Sequence, residues 1–205
     1  VTFALMLTSA IITCTLTTRL KDHAKMSAQA AFRTKILFDT NQLLQRAKSE
    51  EEIFSLTASQ LIKLLNRSLI VYPEQNGDLG SEQFFGVDGE TAQNIFSAPE
   101  ERDAANWTFA NKKRSGAGTD SYPDAKGLYL ALRTGGGVFG VVGIDLSEKP
   151  LDAFENSVLL SILGEGALAI ENRRNALEKE QATVQAKNEE LRANLLRTIS
   201  HDLRT

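Results

Sequence analysis

The last proline in the chain is Pro150, and from Leu151 to Thr205 only Gly164 and Gly166 weaken a helix. So long a stretch without a strong breaker can hardly be anything but helical. Leu151 to Leu168 reads as an amphipathic helix. Beyond it, Ile170, Leu177, Val184 and Leu191 stand seven residues apart, with mixed charges between them. So narrow a stripe would bury little on a lone helix. A seven-residue apolar repeat instead favours a left-handed coiled coil, so a parallel dimer is expected.

The opposite end is apolar for a different reason. Residues Val1 to Thr18 carry no charge, although six of them are threonine. As a helix this run would be roughly 27 Å long, close to the hydrocarbon thickness of a bilayer. Threonine hydroxyls can bond back to the helix backbone and are tolerated there. Arg19, Lys21 and Lys25 follow the run and no cation precedes it. A secretory signal has its charges in front. Positive charge behind a span places the following residues in the cytoplasm. The expectation is the end of a transmembrane helix, with everything after Arg19 cytoplasmic. The first residue is valine and the last five stop inside a helical pattern, so both ends read as cuts from a longer protein.

Between these ends the pattern is mixed. Ala28 to Leu65 reads as two helices, the first carrying Phe32, Ile36, Leu37, Leu43 and Leu44. Ser49 opens the second, with Glu50, Glu51 and Glu52 as a capping box and acidic first turn. Ser68 to Tyr72 reads as a strand ended by Pro73. Gln75 to Asp78 reads as a turn, and Gln83 to Gly86 as a second strand. Thr91 to Ser97 is expected to be helical. Pro99 starts a further helix running to about Lys113. A glycine-rich loop, Ser115 to Pro123, leads to strands Leu128 to Leu132 and Val138 to Ile144. Gly135, Gly136 and Gly137 make the hairpin between them.

Hydrophobic residues make up 42% of the chain and charged residues 24%, which suits a packed core. The net charge of −3 and the lack of a long basic run argue against nucleic acid as a partner. The single cysteine, Cys14, excludes an internal disulfide. The two histidines, His23 and His201, are far apart, and no cluster has metal-ligand spacing.

The chemistry gathers at the end. Ser200-His201-Asp202-Leu203-Arg204-Thr205 resembles the H box of sensor histidine kinases, and the preceding heptads and apolar run strengthen the likeness. Phosphoryl transfer needs a nucleophile in line with the γ-phosphorus and a group to orient it. Neutral imidazole offers one free lone pair. The Asp202 carboxylate can accept the proton on the other ring nitrogen, fixing the tautomer and stabilising the developing positive charge. Ile199 and Leu203 would lie on the core-facing side and leave His201 in solvent. Thr205 lies one turn beyond His201 on the same face. The resemblance implies that Thr205 positions water for dephosphorylating a partner receiver domain. It also implies ATP and magnesium as cofactors of the whole protein, held by an ATP-binding domain that these residues do not contain. The fragment itself is expected to carry no cofactor and to be inactive alone.

The order of helices, strands, hairpin and exit helix resembles a GAF domain. The stretch Trp107 to Lys113, the loop Gly116-Ala117-Gly118-Thr119-Asp120-Ser121-Tyr122-Pro123 and the strand Leu128-Tyr129-Leu130-Ala131-Leu132 are similar to the KdpD family of potassium-responsive sensor kinases. Ser121-Tyr122 stands where that family usually has Thr-Leu, and Ala131 where it usually has proline. The expected fold is α+β: a GAF-like domain with an antiparallel sheet and flanking helices, between a transmembrane helix and a dimeric coiled-coil helix. The expected divisions are 1–18 (end of the membrane helix), 19–31 (juxtamembrane linker), 32–168 (GAF-like sensor), 169–194 (coiled coil) and 195–205 (start of the phosphotransfer domain). The implied whole protein is a homodimeric kinase of the bacterial inner membrane. It phosphorylates itself on His201 and passes the group to a response regulator controlling potassium uptake. The alternative is a small-ligand-binding, dimeric GAF module of another sensor kinase family. For ligand binding, the candidate residues are Gly116, Gly118, Thr119 and Asp120. Their backbone amides could cradle an anion, or the loop could be a surface connection with Asp120 capping its own turn. Trp107 is expected in the core.

Overall fold

The computed structural model describes residues 2–86 and 89–202. The first helix, α1 (Thr2–Leu44), is continuous and includes the juxtamembrane stretch 19–31. In the run 1–18, all side chains except those of Thr13, Leu16 and Thr17 lie outside the described residues, and so does Thr205.

Ser49 caps α2 (Glu50–Leu65). Its hydroxyl accepts from the Glu52 N–H at 3.2 Å, and the Glu52 carboxylate accepts from the Lys48 N–H at 2.7 Å. β1 (Leu69–Gln75) then passes straight through Pro73, where the sequence suggested a stop. The Pro73 carbonyl accepts from Gly80 N–H, so its missing donor faces the same side. On that side β3 (Gln83–Phe85) covers only Leu69 to Val71, and β2 (Asp78–Leu79) covers only Glu74 and Gln75. Pro73 falls in the gap, where no strand requires its N–H. Asn76 and Gly77, at φ 55° and 91°, form the two-residue turn from β1 to β2.

Two helices follow, α3 (Gly89–Phe96) and α4 (Pro99–Asn111), and then the two-residue β4 (Ser115–Gly116), which the sequence did not reveal. β5 (Gly127–Arg133) and β6 (Val138–Asp145) complete one antiparallel sheet of order β2-β1-β6-β5-β4, with β3 also on β1. The last helix, α5 (Ala153–Asp202), runs unbroken through Gly164 and Gly166. It starts two residues later than the apolar pattern suggested. Asp152 Oδ1 accepts from the Glu155 N–H at 2.7 Å, and Glu155 returns a carboxylate to the Asp152 N–H at 3.0 Å.

Strand alternation splits the core between the two faces of the sheet. Leu69, Val71, Leu128, Leu130, Leu132, Val142 and Ile144 face α2 and α5, meeting Phe54, Leu61, Leu159 and Ile162. Ile70, Tyr72, Tyr129 and Val141 face the other way, beneath α3 and α4, and meet Phe96, Ala104 and Ala105. A side chain on Gly166 would come 2.7 Å from Thr57 Oγ1, so this glycine permits close packing of α5 on α2. Ile170 is fully buried in the first core, which corrects its place in the heptad stripe: it serves the domain. Among the described residues one helix stretch, Ala153–Leu196, is long and apolar enough to cross a membrane by length and composition. Its apolar part, including Val158, Leu159, Ile162, Leu163 and Ile170, is domain core.

Candidate functional site

Where α5 leaves the domain, Arg174 points back into it. Its Nε and Nη2 donate to the two Glu50 carboxylate oxygens at 3.0 and 2.9 Å, a two-pronged pairing. Nη1 donates to Glu74 Oε2 at 2.7 Å, and the guanidinium lies 5.3 Å from the centre of the Phe139 ring. One cation thus ties the exit helix to the start of α2, the end of β1 and the start of β6. Burial would raise the Glu74 carboxyl, but bonds from Arg174 and from the Gly77 N–H outweigh it and hold the group below its ordinary 4.5. The bonds that Arg174 donates to Glu50 likewise push the guanidinium upward, against the opposing effect of burial. Sequence reading missed this cluster. Arg174 is one cation in a charged helix, and its partners lie 124 and 100 positions away.

Beyond Arg174 the helix stands free. Leu177, Val184 and Leu191 are 37%, 54% and 61% exposed on the single chain, and Leu195 and Leu196 are exposed as well. His201 and Asp202 are the last two residues of α5, consecutive on one helical backbone with the Arg174 cluster. Their side chains lie outside what the structure describes. At 1.5 Å per residue, His201 is about 40 Å along the helix from Arg174.

The glycine-rich loop is tied mainly to itself. Gly116 N–H donates to Ser121 O at 2.7 Å, Ala117 N–H to Gly127 O at 2.9 Å and Thr119 N–H to Gly116 O at 3.0 Å. The Thr119 hydroxyl lies 2.8 Å from both the Gly116 and Ser121 carbonyls. Thr119, not Asp120, therefore locks the turn, and three amides that could have cradled an anion are engaged internally. Gly116 sits at φ 93°, and a Cβ there would meet Gly127 O at 2.0 Å. Ser115 fastens the loop below by donating to Ala104 O at 2.8 Å, and its hydroxyl pairs with that of Thr108 at 2.7 Å.

Glu101 is the second site residue that the sequence concealed. In the first turn of α4 it looked like an ordinary helix-start acid, yet it is 1% exposed. It accepts from the N–H groups of Lys126 and Gly127 at 2.7 and 3.1 Å and from the Tyr129 hydroxyl at 2.7 Å. Burial, reinforced by that bond, pushes the Tyr129 phenol far above its ordinary range. Burial also pushes Tyr72 up to about 12, against the nearby Arg102, whose guanidinium lies 4.9 Å from the Tyr72 ring centre. These groups fill the face beneath α4 with satisfied polar contacts and leave the open space elsewhere. Gly118, Thr119 and Asp120 line a cleft of about 940 Å³ together with Trp107, which is half-buried at its wall rather than in the core.

No family model matches the chain. The sensor protein KdpD of Clostridium acetobutylicum is 32% identical to it over 206 residues, covering 100% of the chain and 23% of the relative. The sensor protein KdpD of Escherichia coli K12 is 28% identical over 207 residues, again covering 100% of the chain and 22% of the relative. From end to end, the chain is similar to the KdpD sensor proteins. It spans about a quarter of the length of these relatives. Among solved structures, the GAF domain of the Escherichia coli potassium sensor histidine kinase KdpD matches with a TM-score of 0.51 at 18% identity, over 71% of this chain and 98% of that one. The GAF domain of a putative sensor histidine kinase from Pseudomonas syringae pv. tomato matches with a TM-score of 0.54 at 19% identity, over 78% and 97%. The fold between α1 and the free part of α5 is a GAF fold.

Proposed function

We propose that this chain is the sensing and transmitting segment of a sensor histidine kinase that responds to potassium. The observation that carries the proposal is the continuity of α5: one helix joins the core of a GAF domain to His201 and Asp202. His201 is the phosphoacceptor. Its neutral imidazole attacks the γ-phosphorus of ATP as the bond to the β,γ-bridging oxygen breaks and ADP leaves, while Asp202 holds the other ring nitrogen's proton and stabilises the cation that forms. The nucleotide and its magnesium belong to an ATP-binding domain of the whole protein. Thr205 positions a water that hydrolyses the phosphoryl group of the partner receiver domain, releasing inorganic phosphate. The acceptor of the phosphoryl group is the receiver domain of a response regulator controlling potassium uptake. Two copies pair along Leu177, Val184 and Leu191. The run 1–18 is the end of a helix in the bacterial inner membrane, and the residues after Arg19 are cytoplasmic. Similarity of the whole chain to about a quarter of the KdpD sensor proteins supports the family part of this reading.

The test restores a catalytic ATP-binding domain, in cis or in trans, and supplies labelled ATP. The expected product is an acid-labile, alkali-stable phosphoryl group that is absent from His201→Gln. Label persisting at full yield in that variant would reject His201 as the acceptor.

A further inference from the structure

The sheet order leaves β5 as an outer strand shielded by only two residues of β4. β4 covers Leu128 and Tyr129, and among the described residues no strand partners Leu130 through Arg133 on that side. In an antiparallel strand the N–H and C=O of one residue point to the same side, and the side alternates along the chain. The Gly127 carbonyl accepts from Ala117 on the β4 side. Tyr129 and Ala131 therefore turn their backbone groups the same way, and those of Ala131 face the open edge.

The 940 Å³ cleft lies along this edge, with Leu130, Ala131 and Arg133 among its lining residues. Its rim carries four cations, Lys112, Lys113, Arg114 and Arg133, against one carboxylate, Asp120. All five are exposed. The chain as a whole is acidic, at −3, so this concentration of positive charge is local. Apolar contact is available too, from half-buried Trp107 and from Leu160 of α5, which is 51% exposed. Charges beside an open edge discourage indiscriminate pairing. Charges of one sign also select what can pair.

We propose that the outer edge of β5 from Leu130 to Arg133 is a docking site for an extended, acidic segment of a partner protein, added to the sheet as a further strand. Main-chain bonds to the open edge supply the affinity, and the basic rim supplies the choice of sequence. This proposal does not depend on the role of His201.

The probe is a fluorescent eight-residue peptide of alternating glutamate and valine, titrated against the full chain in detergent micelles by fluorescence polarisation. The expected result is saturable binding that falls at least tenfold in the K113E/R133E double variant. Binding should also fall at least tenfold when alternate peptide nitrogens are methylated, a change that removes strand donors without touching the protein or the peptide's charge. Equal binding of the methylated peptide would overturn strand addition. Equal competition by inorganic tripolyphosphate would reduce the cleft to a general anion trap, and no binding of the acidic peptide at low ionic strength would also reject the proposal.

Discussion

Arg174 Nη1 lies 2.7 Å from Glu74 Oε2, joining the helix that leaves the GAF domain to the far end of β1. The same guanidinium grips Glu50 at the start of α2, so any rearrangement at that end of the sheet bears on α5 where it becomes free. The cluster is only partly buried, with the Arg174 side chain 33% exposed. Arg174→Ala should therefore cost on the order of 1–2 kcal/mol, between the values for exposed and buried pairs. Urea unfolding measures that loss. Hydrogen exchange should show faster opening of α5 around Ile170 to Leu177 and leave the β5–β6 ladder protected. Uniform loss of protection throughout the domain would mean that Arg174 merely stabilises the fold.

The same cluster sets a pH dependence. The folded-state value of Glu74 lies below its ordinary 4.5. Its contribution to stability is therefore fully present above the unfolded value and is lost as pH falls through the folded one. Glu51 titrates with the same sign, held low by its backbone N–H and by Ser49. Stability measured downward from pH 6 should begin to fall near pH 4.5 and decline further below it. The Glu74→Gln variant should show a shallower fall over that window, and an identical slope would exclude Glu74 from the effect.

Gly116→Ala should destabilise the domain more than a surface substitution does. The positive φ alone costs about 1–3 kcal/mol for a side chain, and the new Cβ would overlap Gly127 O. Gly118→Ala, also at positive φ but with open space around it, should cost less. Equal melting temperatures for the two variants would contradict this ranking.

Leu191→Glu should weaken self-association. On a single chain Leu191 is 61% exposed, and burying a leucine is worth roughly 1.5–3 kcal/mol. Sedimentation should show a dimer that shifts toward monomer in the variant. A wild-type chain that stays monomeric at high concentration would count against the seam at Leu177, Val184 and Leu191.

Insertions after Lys187 should act by phase. Seven added residues restore the apolar stripe, while three or four rotate everything beyond it. In the proposed full-length kinase, seven should preserve the proposed response to potassium, and three or four should lock activity on or off. A response unaffected by every insertion would mean that the signal reaches His201 without α5.

Local chemistry made part of this protein readable without a structure. The absence of proline after Pro150 is a property of the chain alone, and α5 follows from it. The Ser49 cap and the glycine hairpin between β5 and β6 were legible for the same reason, since each depends on residues within a few positions of one another. So was the Ser200-to-Thr205 motif as a string, of which the structure describes the helical backbone at His201 and Asp202. Tertiary contact decided the rest. Pro73 could stay inside a strand only because β2 and β3 leave a gap beside it. Ile170 matched the heptad spacing, but its position over the sheet made it core. Glu101 and Arg174 looked like ordinary solvated charges until folding brought them to donors and acceptors 25 to 124 positions away. Sequence patterns register periodicity and short-range bonding. They do not register which long-range polar pairs the packing of α4 and α5 will enclose, or that β4 will stop after two residues and leave the edge of β5 open.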